Sequence, residues 1–230
     1  MKVVILAGGL GSRLSEYTKL LPKPMVKILN EPIIVRIIKY YTKFGFTEFL
    51  IAGGYKISIL KKYFKKNLTN LNIKVIDTGK KTLTGGRIKR LKKYLKNERF
   101  LLTYGDGLSD VDIKKLLKFH IKNKNLVTLT AVRPPARFGG IKISKSKVKY
   151  FREKSSLDEG WINGGFFVME PKIFKFLKND FTVLERSPLE NISKLRKLGA
   201  FKHYKFWQCM DTIRDKKNLE DLIKKKIFVK

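Results

Sequence analysis

Four charged side chains stand where they could do chemistry on phosphate: Arg13, Lys23, Asp106 and Asp211. Arg13 closes the glycine-rich run Gly8-Gly9-Leu10-Gly11-Ser12-Arg13-Leu14, which follows directly on the apolar stretch Lys2 to Ala7. A strand that runs into such a turn exposes backbone N–H groups able to cradle an anion. The run is neither of the usual nucleotide loops: Leu14 stands where a dinucleotide fingerprint needs its third glycine, and the Gly-Lys-Ser/Thr of a Walker A loop is missing. Lys23 lies between Pro22 and Pro24, whose fixed φ angles hold that cation on stiff backbone. Asp106, flanked by Gly105 and Gly107, follows the apolar run Phe100 to Tyr104 and so emerges at a strand's C-terminal end, where open α/β sheets bind ligands; a turn-forming Asp-Gly is the alternative. Asp211 sits among Phe206, Trp207 and Met210, where a carboxylate needs a partner or a metal unless it caps the last helix. Asp110, Asp112 and Asp215 are nearby carboxylates better suited to helix caps and exposed charge pairs.

The elements that must carry these residues alternate. Short apolar runs at Lys2 to Ala7, Phe49 to Ala52, Ile73 to Ile76 and Phe100 to Tyr104 read as strands, with helical periods at Ile33 to Phe44 and Ile57 to Phe64. Ser109-Asp110-Val111-Asp112 has capping-box spacing and places a helix start at Ser109, with Ile113, Leu116, Leu117 and Ile121 on one face. This is the pattern of βα units on a mainly parallel, Rossmann-like sheet flanked by helices. After Val132 the rhythm changes. Pro134-Pro135 breaks the chain, Ile141 to Ile143 and Val148 to Phe151 read as a hairpin, and Trp161 to Met169 and Phe201 to Phe206 read as strands, the first with a Gly164-Gly165 irregularity. Thr212 to Lys225 reads as a closing helix. The expectation is one α/β domain, residues 1–132 forming its βα half and 133–230 a smaller, β-rich half.

Composition narrows the class. A chain of 230 residues, 43% hydrophobic, can bury a real core. No apolar run approaches the roughly 18 to 20 residues of a membrane span, and the apolar run cut off at Gly8-Gly9 is too short for a secretory signal, so the expected location is the cytoplasm. One cysteine, Cys209, excludes an internal disulfide, and with only His120 and His203 a zinc site lacks ligands. The net charge of +33 raises the question of nucleic acid. The lysines, however, are spread between apolar residues at helical spacing, as from Arg87 to Lys96, and no recognition motif accompanies them. No specific nucleic-acid partner and no membrane partner is expected.

The pairing of the glycine-rich run with Pro22-Lys23-Pro24-Met25 resembles the signature of the nucleotide-sugar pyrophosphorylases, the sugar-1-phosphate nucleotidyltransferases. Within that family the chain is most similar to the glucose-1-phosphate cytidylyltransferases. The blocks that carry this are Asp77-Thr78-Gly79, Thr84-Gly85-Gly86-Arg87, Thr103-Tyr104-Gly105-Asp106-Gly107, Pro134-Pro135-Ala136-Arg137-Phe138-Gly139, Ile162-Asn163-Gly164-Gly165-Phe166-Phe167 and Phe206-Trp207-Gln208-Cys209-Met210-Asp211-Thr212. One departure is the short stretch from Tyr63 to Asp77, where those enzymes carry a longer insertion.

The resemblance implies a reaction and a set of roles, with residues 1–132 as the nucleotide-binding half and 133–230 as the acceptor-binding half. CTP and a sugar 1-phosphate, glucose 1-phosphate first, would give a CDP-sugar and pyrophosphate, with Arg13, Lys23 and Asp106 catalytic and Mg²⁺ held by Asp106 and Asp211. Leu6, Ala7, Gly8, Gly9, Gly11 and Ser12 would bind the nucleotide, with Thr84, Gly85, Gly86, Gly105 and Arg87. Arg87 would read cytosine O2 and N3; the alternative for it is a helix-starting arginine on the solvent face. Gly139, Glu153, Lys154, Asn163 and Gly164 would bind the acceptor, and relatives imply a homo-oligomer. Two other readings remain: a nucleotidyltransferase for another phosphorylated acceptor such as an amino-acid phosphoramidate, and a polyanion-binding protein without catalysis.

Overall fold

The computed structural model describes residues 1–134, 140–152 and 160–225. Within them the chain runs β1 (Val3–Ala7), α1 (Ser15–Thr18), β2 (Lys27–Ile28), β3 (Glu31–Pro32), α2 (Ile33–Thr42), β4 (Glu48–Gly53), α3 (Ile57–Lys66), β5 (Asn72–Asp77), α4 (Thr84–Arg90), α5 (Lys92–Leu95), β6 (Phe100–Tyr104) and β7 (Gly107–Ser109). It continues through α6 (Ile113–Lys122), β8 (Val127–Val132), β9 (Gly140–Ser144), β10 (Lys147–Arg152), β11 (Ile162–Met169), α7 (Ser187–Lys194), β12 (Leu198–Lys202), β13 (Trp207–Cys209) and α8 (Ile213–Lys224).

Seven strands form one sheet in the order β12-β8-β11-β6-β1-β4-β5. β6, β1, β4 and β5 are mutually parallel, whereas β11 is inserted antiparallel between β6 and β8. Strands from both sides of residue 132 therefore share the sheet. β1 explains why the mainly parallel core reads as an unbroken apolar run: Val3 and Ile5 pack into the core on one face with α2, α3, α6 and α8, while Val4 and Leu6 pack into that on the other with α4, α5 and α7. Strand order reverses at β1, whose neighbours are β4 on one side and β6 on the other. The loops after β1 and β6 thus leave in different directions and open a crevice at the carboxyl edge, the expected ligand position in an open α/β sheet.

Two expectations are corrected. The chain does not enter a helix at Ser109. Gly107–Ser109 pairs antiparallel with β13, the Ser109 hydroxyl donates to Phe206 O, and α6 begins at Ile113 with Asp112 as its N-cap, accepting from Lys115 N. The capping spacing was present, but pairing with a strand about a hundred residues away claimed the segment. The run Phe201 to Phe206 is likewise not one strand: β12 ends at Lys202, His203 N donates to Ala131 O, and a turn leads to β13. The hairpin of β9 and β10 and the irregularity in β11 are as the sequence indicates, the latter a register shift between Asn163 and Phe167. Among the described residues no helix is long and apolar enough to cross a membrane.

Leu102 lies in β6 between β1 and β11 and is fully buried. Leu102→Ala should lower stability by about 2–5 kcal/mol with an unchanged denaturant slope, read by urea unfolding. A loss below about 0.5 kcal/mol would show that the second face of the sheet is not a packed core.

Candidate active site

The site begins where β1 ends. Gly105 N donates to Leu6 O, so the end of β6 lies directly beside the glycine-rich loop and sets Asp106 against it. Gly8 O accepts from Tyr55 N and from an Nη of Arg87, and a Cβ on Gly8 would stand 2.0 Å from that guanidinium, so any larger residue would push Arg87 off its bonds. Gly11 adopts φ 67°, reverses the chain into a 3₁₀ turn over Ser12–Leu14, and lies close against Lys23 Cβ. A second 3₁₀ turn, Lys23–Met25, has Pro24 in its first turn and leaves Lys23 only 9% exposed.

A buried ammonium requires partners, and Lys23 has two. Its Nζ donates to Asp106 Oδ2 at 2.5 Å and to Asp211 Oδ1 at 2.7 Å, while Arg13 donates to Asp211 Oδ2 at 2.8 Å. Met210 N donates to Asp106 O and ties the two acidic segments together through the backbone. Asp211 is not the cap of α8. Thr212 takes that role, its side chain accepting from Asp215 N while Asp215 accepts from Thr212 N and Asp211 N, which leaves the Asp211 carboxylate free for the cations. Asp112 and Asp215 are caps, as expected, and Asp110 accepts from His203. His120 is buried and bonds Thr128 and Glu170.

Burial alone would lower the Lys23 pKa, but Asp106 and Asp211 together hold it above the ordinary lysine value. For Asp211 burial acts upward and is outweighed by Lys23 and then Arg13, so its carboxyl lies below the usual range. Burial, followed by the Asp211, Asp106 and Asp215 carboxylates, pushes the Cys209 thiol up to about 12, which keeps it a neutral wall residue.

Two cavities meet at Arg13, Tyr104 and Asp106. One, of about 360 Å³, is lined by Leu6, Ala7, Gly8, Gly9, Gly11, Ser12, Arg13, Lys23, Thr84, Arg87, Gly105 and Asp106, every residue expected to bind nucleotide except Gly85 and Gly86. Those two glycines donate their N–H groups to Thr182 O in the first turn of α4, so they support the wall from behind. Arg87 is buried rather than on the solvent face, and burial lowers its pKa. Its guanidinium donates to Gly8 O, Gly53 O, Gly79 O and Thr78 Oγ1, so the donors that would read a base are engaged by the chain itself.

The larger cavity, about 790 Å³, is lined by Arg13, Asp106 and Asp211 together with Asn163, Trp207 and Arg214. Gly164 stands behind this wall, its carbonyl accepting from Trp207 Nε1. Gly139, Glu153 and Lys154 lie outside the described residues. Tyr104 and Trp207, which line the cavities, were not singled out by type or spacing; an aromatic at a strand end resembles any other core aromatic in sequence.

Asp106 and Asp211 also suit a hard divalent cation. Their oxygens already converge on one positive atom, and oxygen donors are what Mg²⁺ takes, at about 2.0–2.1 Å with phosphate and water completing the shell. No cluster of three or more such ligands occurs among the described residues, so the pair is an open, partial set.

The nucleotidyl transferase family model matches residues 2–214. The chain belongs to that family. This nucleotidyltransferase is 44% identical to the glucose-1-phosphate cytidylyltransferase of Salmonella typhi, over 98% of the chain and 96% of the relative. It is 39% identical to a probable glucose-1-phosphate cytidylyltransferase of Bacillus subtilis, over 94% and 93%. The Salmonella alignment covers 248 positions against a chain of 230, so that relative carries residues absent here. Among solved structures, HddC from Yersinia pseudotuberculosis, complexed with GMP-PN, superposes with a TM-score of 0.74 at 26% identity, covering 96% of this chain and 99% of that one.

The linked charges give a pH signature. Because the Asp211 pKa is depressed in the folded state, its contribution to stability is present above the ordinary carboxylate range and is lost as pH falls through the lowered value. The raised Lys23 pKa contributes below the ordinary lysine value and is lost as pH rises through the raised one. Asp211→Asn should therefore flatten the acid limb of a Tm-against-pH profile; an acid limb as steep as the wild type's would mean that the ion pair is not formed in solution.

Proposed function

We propose that this nucleotidyltransferase joins CTP and glucose 1-phosphate to give CDP-glucose and pyrophosphate. The observation that carries the reading is the meeting of two cavities at a cluster of two cations and two carboxylates. One cavity is walled by a glycine-rich loop suited to phosphates. The choice of CTP and glucose 1-phosphate is supported by the names of the Salmonella and Bacillus relatives, which align along nearly their whole length.

In the reaction an oxygen of the sugar phosphate attacks the α-phosphorus of CTP in line, the bond to the bridging oxygen of the β-phosphate breaks, and pyrophosphate leaves with the electron pair. Two anions must approach each other, so positioning and charge neutralisation dominate. Arg13, whose side chain is 71% exposed at the junction of the cavities, neutralises the departing pyrophosphate. Lys23 neutralises the α-phosphate and attacking oxygen, and Asp106 and Asp211 would hold Mg²⁺. Mg²⁺, when bound, would offset the charge that develops on the phosphates. The same pair of carboxylates would thus serve both the lysine and the metal.

Arg87 gives up a carbonyl to read cytosine O2 and N3, and Asn163 bonds the sugar. Gly139, Glu153, Lys154 and Gly164 complete the acceptor side in this reading, which also places the enzyme in the cytoplasm as a homo-oligomer; these assignments rest on resemblance.

A pyrophosphate-release assay that crosses the four common nucleoside triphosphates with a panel of phosphorylated acceptors tests the base and the acceptor together. CTP with glucose 1-phosphate should exceed UTP by about a hundredfold, because a donor facing cytosine N3 meets another donor on uracil. Turnover with UTP or GTP but not CTP would sink the cytidylyl assignment, and CTP turnover with only a non-sugar phosphate would move the acceptor.

A further inference from the structure

Glu185 lines neither cavity, yet it touches both through other residues. One carboxylate oxygen accepts from the hydroxyl of Thr84, on the nucleotide wall, at 2.7 Å, and the other accepts from the phenol of Tyr104, which lines both cavities. Tyr104 Oη in turn accepts from Asn163 Nδ2 at 3.1 Å, and Asn163 Oδ1 accepts from Gly165 N at 2.9 Å. Gly165, at φ 79°, leaves room for the Tyr104 ring, which a Cβ there would approach to 2.6 Å.

The direction of every bond in this chain is fixed. Gly165 N can only donate, so the Asn163 atom facing it is the carbonyl oxygen, and Nδ2 must face Tyr104. The phenol oxygen then has to accept, so its own proton points to Glu185, and a carboxylate can only accept. An amide nitrogen carries two hydrogens, and one is spent on Tyr104. Asn163 lines the acceptor cavity, and the donor left on its nitrogen is the group it can offer there.

We propose that Glu185 is a positioning residue for the acceptor: by orienting the Tyr104 hydroxyl it locks the Asn163 amide with a donor directed at the acceptor, so that the site reads a hydroxyl oxygen of the sugar. The proposal deepens the functional reading above and rests on it for the identity of the acceptor.

Glu185→Leu takes the acceptor out of the relay. Thr84 keeps the bond its oxygen accepts from Leu184 N, whereas the Tyr104 proton is left without its acceptor. That proton is then free to turn toward Asn163, where it opposes the amide NH₂. The expected result is a kcat/KM for glucose 1-phosphate lower by about tenfold or more, carried by KM, with the KM for CTP within about twofold of wild type. Equal losses for both substrates, or none, would overturn the proposal. A second readout is independent of turnover: the Asn163 side-chain amide pair in a ¹⁵N correlation spectrum, assigned by its loss in Asn163→Asp. Its exchange with solvent should be slow in wild type and accelerated in Glu185→Leu; an unchanged pair would overturn the relay even if the acceptor were another phosphate ester. Absence of wild-type turnover across the whole acceptor panel would instead remove the functional reading and leave the amide spectrum to judge Glu185.

Discussion

The Lys23 ammonium, held between Asp106 and Asp211, is the contact on which the rest of the site depends. A lysine with so little exposure is tolerable only when charged partners replace its water, and removing one partner of such a pair is costly because the other is left buried and uncompensated. That demand reaches across the chain. Asp106 arrives at the end of β6, Asp211 at the end of β13, and Lys23 on the proline-bounded turn after the glycine-rich loop, so three segments far apart in sequence must converge on one nitrogen. The β7–β13 pairing and the bond from Met210 N to Asp106 O supply the convergence, and the sheet's reversal at β1 supplies the space.

The same contact has a chemical consequence. Lys23, Arg13, Asp106 and Asp211 sum to no net charge, so the resting cluster does not itself attract a second cation strongly. Substrates bring negative charge. In the proposed reaction a phosphate would draw the ammonium away, and the vacated carboxylates would then be free to hold a divalent cation. Positioning of this kind needs no nucleophile or general base from the protein, in keeping with a Cys209 thiol held neutral and with histidines engaged in bonds of their own.

Much of this was legible in the sequence for definite reasons. β1 and β6 are apolar runs because both faces of the sheet are covered, and the glycine loop, the Pro-bounded Lys23 and the Gly-flanked Asp106 carry local signals that survive without any knowledge of contacts. What local signals could not show depended on distant residues. Ser109 has the spacing of a cap, but β13 claimed it as a strand; the N–H groups of Gly85 and Gly86 are directed at Thr182 O; and Arg87, for which base reading and a place on the solvent face were both open, is buried with its guanidinium donating to Gly8 O. Glu185 gave no sign at all, since a glutamate between Leu184 and Arg186 acquires meaning only when Thr84 and Tyr104 are brought to its two oxygens. The lysine excess is spread over helix faces such as α3 and α6 and takes no part in the cluster.

The central claim is that Lys23 and the metal share one pair of carboxylates, and Mn²⁺ binding followed by electron paramagnetic resonance without nucleotide tests it most directly, because no turnover is required. Lys23→Met should bind Mn²⁺ more tightly than wild type, since it frees two carboxylates and removes a positive charge beside them, while Lys93→Met should bind as wild type does. A Lys23→Met protein with unchanged or weaker Mn²⁺ affinity would contradict the account and place the metal elsewhere.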